Sequence, residues 1–138
     1  MYSIEKTIQI AAPTHRIVEA LTTQAGYRGW FTQSATFDGA HATFTFVRPE
    51  ITRTVTFRIE QCDGSGVAMT CTSEENNPAW RGTKLAITVH GDRVQLVHSG
   101  YGAQDDYYEQ CVEGWEYFLP SLKSYVETGR GTPLPAAC

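Results

Sequence analysis

Apolar and polar residues alternate through the first ten positions, where Tyr2, Ile4, Ile8 and Ile10 share one parity. That is the pattern of a strand with one face buried. The period then changes. Ala12-Pro13 precedes Ile17, Val18 and Leu21 at helical spacing, and a proline in the first turn gives up an N–H that has no partner there anyway. A second short helical stretch spans Gln24 to Trp30, broken by Gly26 and Gly29. From there to residue 100 the alternation returns. TFDGAHATFTFV sets Asp38-Gly39 between two short alternating runs, a hairpin signal. ITRTVTFRIEQC carries Val55, Phe57 and Ile59 on one side and Thr54, Thr56, Arg58 and Glu60 on the other. Val67 to Thr72 follows the turn Asp63-Gly64-Ser65-Gly66. In WRGTKLAITVHGDRVQLVHSG a tight turn at Gly91-Asp92 pairs Val89 with Val94, Ile87 with Leu96 and Leu85 with His98. All six of those side chains fall on one face.

Spacings of three and four resume at Tyr108, Cys111, Val112, Trp115, Leu119, Leu122 and Val126. They predict one amphipathic helix from Tyr107 to Thr128, about 33 Å long. Asp106, with Glu109 three residues on, reads as a capping pair; Gly129, Gly131 and Pro133 are stop signals. Pro120 lies inside this stretch. A proline there removes a backbone hydrogen bond and costs roughly 3 kcal/mol, yet the apolar stripe keeps its phase across it. The helix is therefore expected to bend and continue, either opening a cavity above the sheet or following the sheet's curvature. The order is strand, two short helices, six strands and one long helix. The fold class is α+β: a curved antiparallel sheet wrapped around a long C-terminal helix, in one domain over 1–133 with a frayed tail at 134–138.

Composition narrows the partners. A chain of 138 residues has room for one core. Its net charge is −4 and its eleven Lys and Arg are scattered, which argues against a nucleic-acid surface. Glu5 and Lys6 sit where a signal peptide would need an unbroken apolar run, and no segment approaches the roughly 20 apolar residues of a membrane span. A cytoplasmic protein is expected. The four cysteines form no C-x-x-C, and no histidine pairs with a cysteine or another histidine at a ligand interval. No metal and no cofactor are expected, and the thiols should be free. Cys62 and Cys71 flank one turn in registers that keep them out of bonding distance.

Candidate chemistry converges on His98, which the hairpin register sets on the apolar face beside Leu85. A neutral imidazole there could orient a polar group of a ligand or take a proton; equally, it could be a core histidine satisfied by a neighbouring hydroxyl or carbonyl. Trp30, Trp80 and Trp115, with Phe44, Phe46, Phe57 and Phe118, supply aromatic surface that either fills a core or lines a cavity. Tyr107, Tyr108 and Tyr117 could present hydroxyls at a cavity mouth. Glu74 and Glu75 read as solvated loop residues, Arg58 and Glu60 as a surface pair, Asp105 and Asp106 as helix caps. There is no Ser-His-Asp arrangement on a nucleophile elbow and no glycine-rich phosphate loop, so no catalytic residue is assigned.

IAAPTHRIVEALTT leading to Trp30, WRGTKLAITV, VQLVHSGYG and GWEYFLPSLKSYVETGRGTP together resemble the activator of heat-shock-protein-90 ATPase homologue-like family. That family belongs to the SRPBCC, or START-like, helix-grip superfamily. The resemblance covers roughly residues 4 to 133, and Trp-x-Gly-Thr at 80–83 and the Gly114-Trp115 helix are its more specific parts. It implies a deep, mostly apolar cavity between sheet and C-terminal helix. No catalytic set is shared across the family. Its eukaryotic members carry an additional N-terminal chaperone-binding domain, whereas this chain opens on the grip strand. The expected function is binding of a small, mainly apolar ligand by Trp30, Phe57, Leu85, Ile87, His98, Tyr108, Cys111, Trp115 and Phe118. The alternative is a co-chaperone-like module with a protein partner, and a cyclase- or hydrolase-type enzyme using the same cavity ranks third.

Overall fold

The computed structural model describes residues 2–47, 52–72, 82–104 and 106–134. Trp80, Glu74, Glu75, Asp105, Cys138 and the side chain of Tyr107 fall outside the described set. The elements run β1 (Tyr2–Gln9), α1 (Thr14–Thr22), α2 (Gln24–Trp30), β2 (Ser34–Phe37), β3 (His41–Val47), β4 (Thr52–Asp63), β5 (Gly66–Cys71), β6 (Lys84–His90), β7 (Arg93–Tyr101) and α3 (Asp106–Thr128). All strands join one curved antiparallel sheet in the order β1-β7-β6-β5-β4-β3-β2. Strands β2 to β7 form a meander of hairpins, and β1 returns to pair with β7.

Alternation decides which face is buried. Ala42, Phe44, Val55, Phe57, Val67, Met69, Leu85, Ile87, Leu96 and His98 all point inward. The outer face is polar and carries threonines in register: Thr43 lies against Thr56 and Thr45 against Thr54, with hydroxyl oxygens 3.3 and 3.2 Å apart. Such cross-strand pairs stabilise a sheet modestly while keeping that face wet. The β6–β7 hairpin has the register its turn demands: Val89 opposite Val94, Ile87 opposite Leu96, Leu85 opposite His98.

Three expectations need correction. Gly26 and Gly29 do not break α2; they let it pack closely. A Cβ at Gly26 would stand 2.6 Å from the Ala20 carbonyl oxygen of α1, and one at Gly29 would run into the Tyr125 ring of α3. Pro13 caps α1 in an extended conformation instead of lying in its first turn. Leu134, assigned to the frayed tail, is held in place. Its carbonyl accepts from Gln33 N (3.0 Å), its N–H donates to the Phe31 carbonyl (3.1 Å), and its side chain packs on the core.

The long helix runs through Pro120 without ending. Trp115, Phe118, Leu119, Leu122 and Val126 on one side of it are buried, whereas Pro120 and Glu116 are exposed. The carbonyl that the proline leaves without its usual partner therefore faces water, where the loss is smallest.

Candidate functional site

His98 lies in the middle of the layer between the sheet and α3, with 0% of its surface exposed. Every polar atom of its ring is engaged. Nε2 is 3.2 Å from Thr83 Oγ1, and Nδ1 is 3.1 Å from the Tyr101 hydroxyl and 3.2 Å from the indole nitrogen of Trp115. An indole N–H can only donate, so Nδ1 must be the unprotonated acceptor. The ring proton then sits on Nε2 and is donated to Thr83. Burial holds the imidazole neutral, pushing its pKa from 6.5 down to about 3, because a charged ring would lose its water there. The neighbouring hydroxyl that the sequence left open is Thr83.

Tyr101 reaches this cluster through a local irregularity. Strict alternation from His98 would turn residue 101 outward. The β1–β7 register slips between Tyr2 and Ser3, opposite Gly100 at φ +96°. This is a bulge of the kind that glycine permits. It returns Tyr101 to the inner face, where its ring meets His98 at 5.0 Å and Tyr108 edge-on at 5.2 Å. Tyr108 in turn donates its hydroxyl to the Ser3 carbonyl, 2.7 Å away.

Beside this polar group lies an aromatic stack centred on Phe31, the residue after α2. Phe31 is sandwiched between Trp30 (5.0 Å, 28°) and Trp115 (5.5 Å, 11°) and takes Phe118, Phe44 and Phe46 at its edges, 4.7–5.0 Å away. Trp30 is anchored by its indole N–H on the Ala20 carbonyl (2.9 Å), and the Tyr27 hydroxyl donates to the Leu21 carbonyl (2.6 Å). Ser121 of α3 donates to the Trp30 carbonyl and accepts from Thr132 N, both at 2.7 Å.

Eight of the nine residues proposed from the sequence belong to one buried hydrophobic cluster, and the ninth, His98, is buried beside it against Trp115. Trp115 bridges its two halves, touching His98 on one side and Phe31 on the other. Phe57 packs edge-on against Phe44 at 5.9 Å, and Leu85 lies opposite His98 on β6. Sequence reasoning missed Phe31, Tyr101 and Thr83. Phe31 stands just past a short helix, where periodicity stops reporting, and Tyr101 depends on the Gly100 bulge. Thr83 stood within a quoted motif with nothing to mark its side chain as a partner of His98. Tyr117 is 49% exposed, with its hydroxyl on the Thr132 carbonyl, and stands outside the cluster.

The other sequence-level assignments are surface chemistry. Arg58 and Glu60 pair at 2.8 Å with both side chains exposed. Asp106 and Glu109 occupy the first turn of α3, where negative charge is favoured. Cys62 is exposed and faces Val67, whereas Cys71 is buried opposite Phe57; these two and Cys111 carry thiols. Among the described residues no group of three His, Cys, Asp or Glu side chains is disposed to hold a metal, and no helix is long and apolar enough to cross a membrane.

No protein-family model and no curated protein matches the sequence. Solved structures do match. The chain is similar to the Aha1 dimer of Colwellia psychrerythraea, 25% identical with a TM-score of 0.81 over 95% of this chain and 100% of that one. It is also similar to a protein from Staphylococcus saprophyticus, at 21% identity and a TM-score of 0.72 over 95% and 96% of the two chains. The AHSA1-like protein of Aeromonas hydrophila gives 14% and 0.67 over 93% and 94%. The last two likenesses speak for the fold, and the first spans nearly the whole of both chains. Element order, sheet register and this end-to-end likeness give the chain the helix-grip fold and make it similar to the Aha1-like structures of the SRPBCC superfamily.

Proposed function

We propose that the protein binds a small, mainly apolar molecule between the sheet and α3, in contact with Trp30, Phe57, Leu85, Ile87, His98, Tyr108, Cys111, Trp115 and Phe118. One observation carries this reading: a neutral, hydrogen-bonding imidazole stands at the centre of an otherwise apolar and aromatic layer. Binding sites for small molecules combine an apolar lining with a few convergent polar groups that fix orientation. A ligand would enter by displacing packed side chains, with Phe31 and Trp115 yielding together because they are stacked. His98 serves as an orienting group in this reading and no bond-breaking step is assigned to it.

Native mass spectrometry of freshly purified protein, combined with titration of an apolar fluorescent dye, tests the proposal. The expected result is saturable uptake of one dye per chain, weakened by Trp115→Leu. Unliganded mass alone, with no saturable uptake by the folded protein, would remove the reading.

A protein-interaction role is the second reading, and one observation favours it. The Colwellia relative is described as a dimer. Self-association of this chain would show as a concentration-dependent mass in light scattering; a constant monomer mass would count against it.

A further inference from the structure

Four hydroxyls that the aromatic layer does not use lie along one line of α3. Tyr117, Ser121, Ser124 and Thr128 follow one another at helical intervals, which places them on a single stripe. All four bond to the segment after Gly129, residues 130–134, as it runs back along the helix. Tyr117 donates to the Thr132 carbonyl (2.8 Å) and Ser124 to the Arg130 carbonyl (2.6 Å). Ser121 accepts from Thr132 N (2.7 Å) and Thr128 from Arg130 N (3.3 Å). At Leu134 the strap reaches α2. Its N–H goes to the Phe31 carbonyl and its carbonyl takes Gln33 N, so it grips the backbone on both sides of Thr32.

The strap is tied down less firmly than what it holds. Arg130 and Thr132 are exposed, and half-buried Leu134 is its only large apolar side chain. Ser121, the buried hydroxyl of the stripe, keeps its bond to the Trp30 carbonyl when the strap leaves; the others take water instead. Segments with few buried apolar contacts and exposed hydrogen bonds open at a fraction of the global unfolding free energy.

Resting on the ligand-binding reading above, we infer that residues 130–134 are the gate of the layer between the sheet and α3. Phe31 fills the centre of that layer, stacked between Trp30 and Trp115. Its ring cannot swing out while Leu134 clamps the backbone beside it. A ligand therefore enters after the strap releases, and the opening step limits the rate at high ligand concentration.

Hydrogen exchange and stopped-flow uptake of the apolar dye N-phenyl-1-naphthylamine test this. The amides of Gln33, Thr132 and Leu134 should exchange as one group, faster than the amide of Leu96 in the middle of the sheet. The observed uptake rate should level off as dye concentration rises. Gly131→Ala touches no residue of the layer but puts a Cβ 2.5 Å from the Gly29 carbonyl oxygen and 2.9 Å from Ser121 Oγ, which pushes the strap away. It should raise both the exchange of the three amides and the plateau rate by about 3- to 10-fold, the factor of one net hydrogen bond. Leu134→Ala, which keeps the backbone bonds and removes the anchor, replaces it where Gly131→Ala does not fold. Strap amides that exchange only with the sheet, or a faster exchange that leaves dye uptake unchanged, overturn the gate and leave ligand binding standing. No saturable uptake by either protein overturns both.

Discussion

At the scale of single residues, His98 has consequences for stability that do not depend on any ligand. Its folded-state pKa lies near 3, against 6.5 in the free side chain. Above about pH 7 the ring is neutral in both states. As pH falls below 6.5 the unfolded chain takes up a proton that the folded chain refuses, so the folded state loses stability progressively down toward pH 3. Between pH 7 and pH 5 this amounts to roughly 1–2 kcal/mol. The carboxylates of Asp38, Asp63 and Glu127 also have lowered pKa values. Asp38 accepts the N–H groups of His41 and Ala40, Asp63 the hydroxyl and N–H of Ser65, and Glu127 bonds from Lys123 and Ala11. Their stabilisation is lost as pH falls through and below the ordinary carboxylate range, so the His98 contribution dominates between pH 7 and pH 5. Urea unfolding at pH 7 and pH 5 checks this. The wild type should weaken between them, and His98→Phe should flatten that slope while costing about 1–3 kcal/mol at pH 7 through the donors it strands. An unchanged slope in the variant would contradict the assignment of the buried neutral ring.

At the scale of elements, Pro120 and the sheet edges matter most. Alanine at 120 restores an N–H to α3 and improves helix propensity by about 3 kcal/mol in an unconstrained helix. The proline is on the wet side of the helix, where the missing bond costs least, and it also restricts the unfolded chain. Pro120→Ala should therefore change stability by less than about 1.5 kcal/mol, measured as the shift in urea midpoint at constant slope. Both edge strands are blocked by helix side chains. On β1 the Ser3 carbonyl takes the Tyr108 hydroxyl and the Gln9 carbonyl takes Lys123 Nζ (both 2.7 Å). On β2, Phe37 N donates to Gln24 Oε1 (3.2 Å) and the Ala35 carbonyl accepts from Arg28 Nε (2.8 Å). An uncovered edge invites pairing with another chain. The double variant Gln24→Ala/Arg28→Ala should aggregate at a lower temperature and with stronger concentration dependence than the wild type, read by light scattering during a slow melt.

For the whole molecule, the elements and most of the core were legible because period and turn chemistry are local. The Gly91-Asp92 turn fixed the hairpin register, and that register placed His98 inside. What the pattern could not carry was contact across elements. Trp115 meeting His98, Phe31 joining two tryptophans and Leu134 bridging Thr32 all depend on how α3 and α2 lie over the sheet. Tyr101 was hidden by one glycine that reverses the alternation. The sheet order has a further consequence in time. The first strand made, β1, must wait for β7 before it has a neighbour, about 90 residues of chain later. The helix that covers the apolar face is made after every strand. Throughout synthesis, then, a growing chain carries an open hydrophobic sheet with one edge unpaired, the condition under which intermediates stick to one another. Refolding from denaturant should accordingly slow and lose yield as protein concentration rises, with recovery restored by dilution. A cell making this protein at high level would have to shelter it until α3 has emerged from the ribosome.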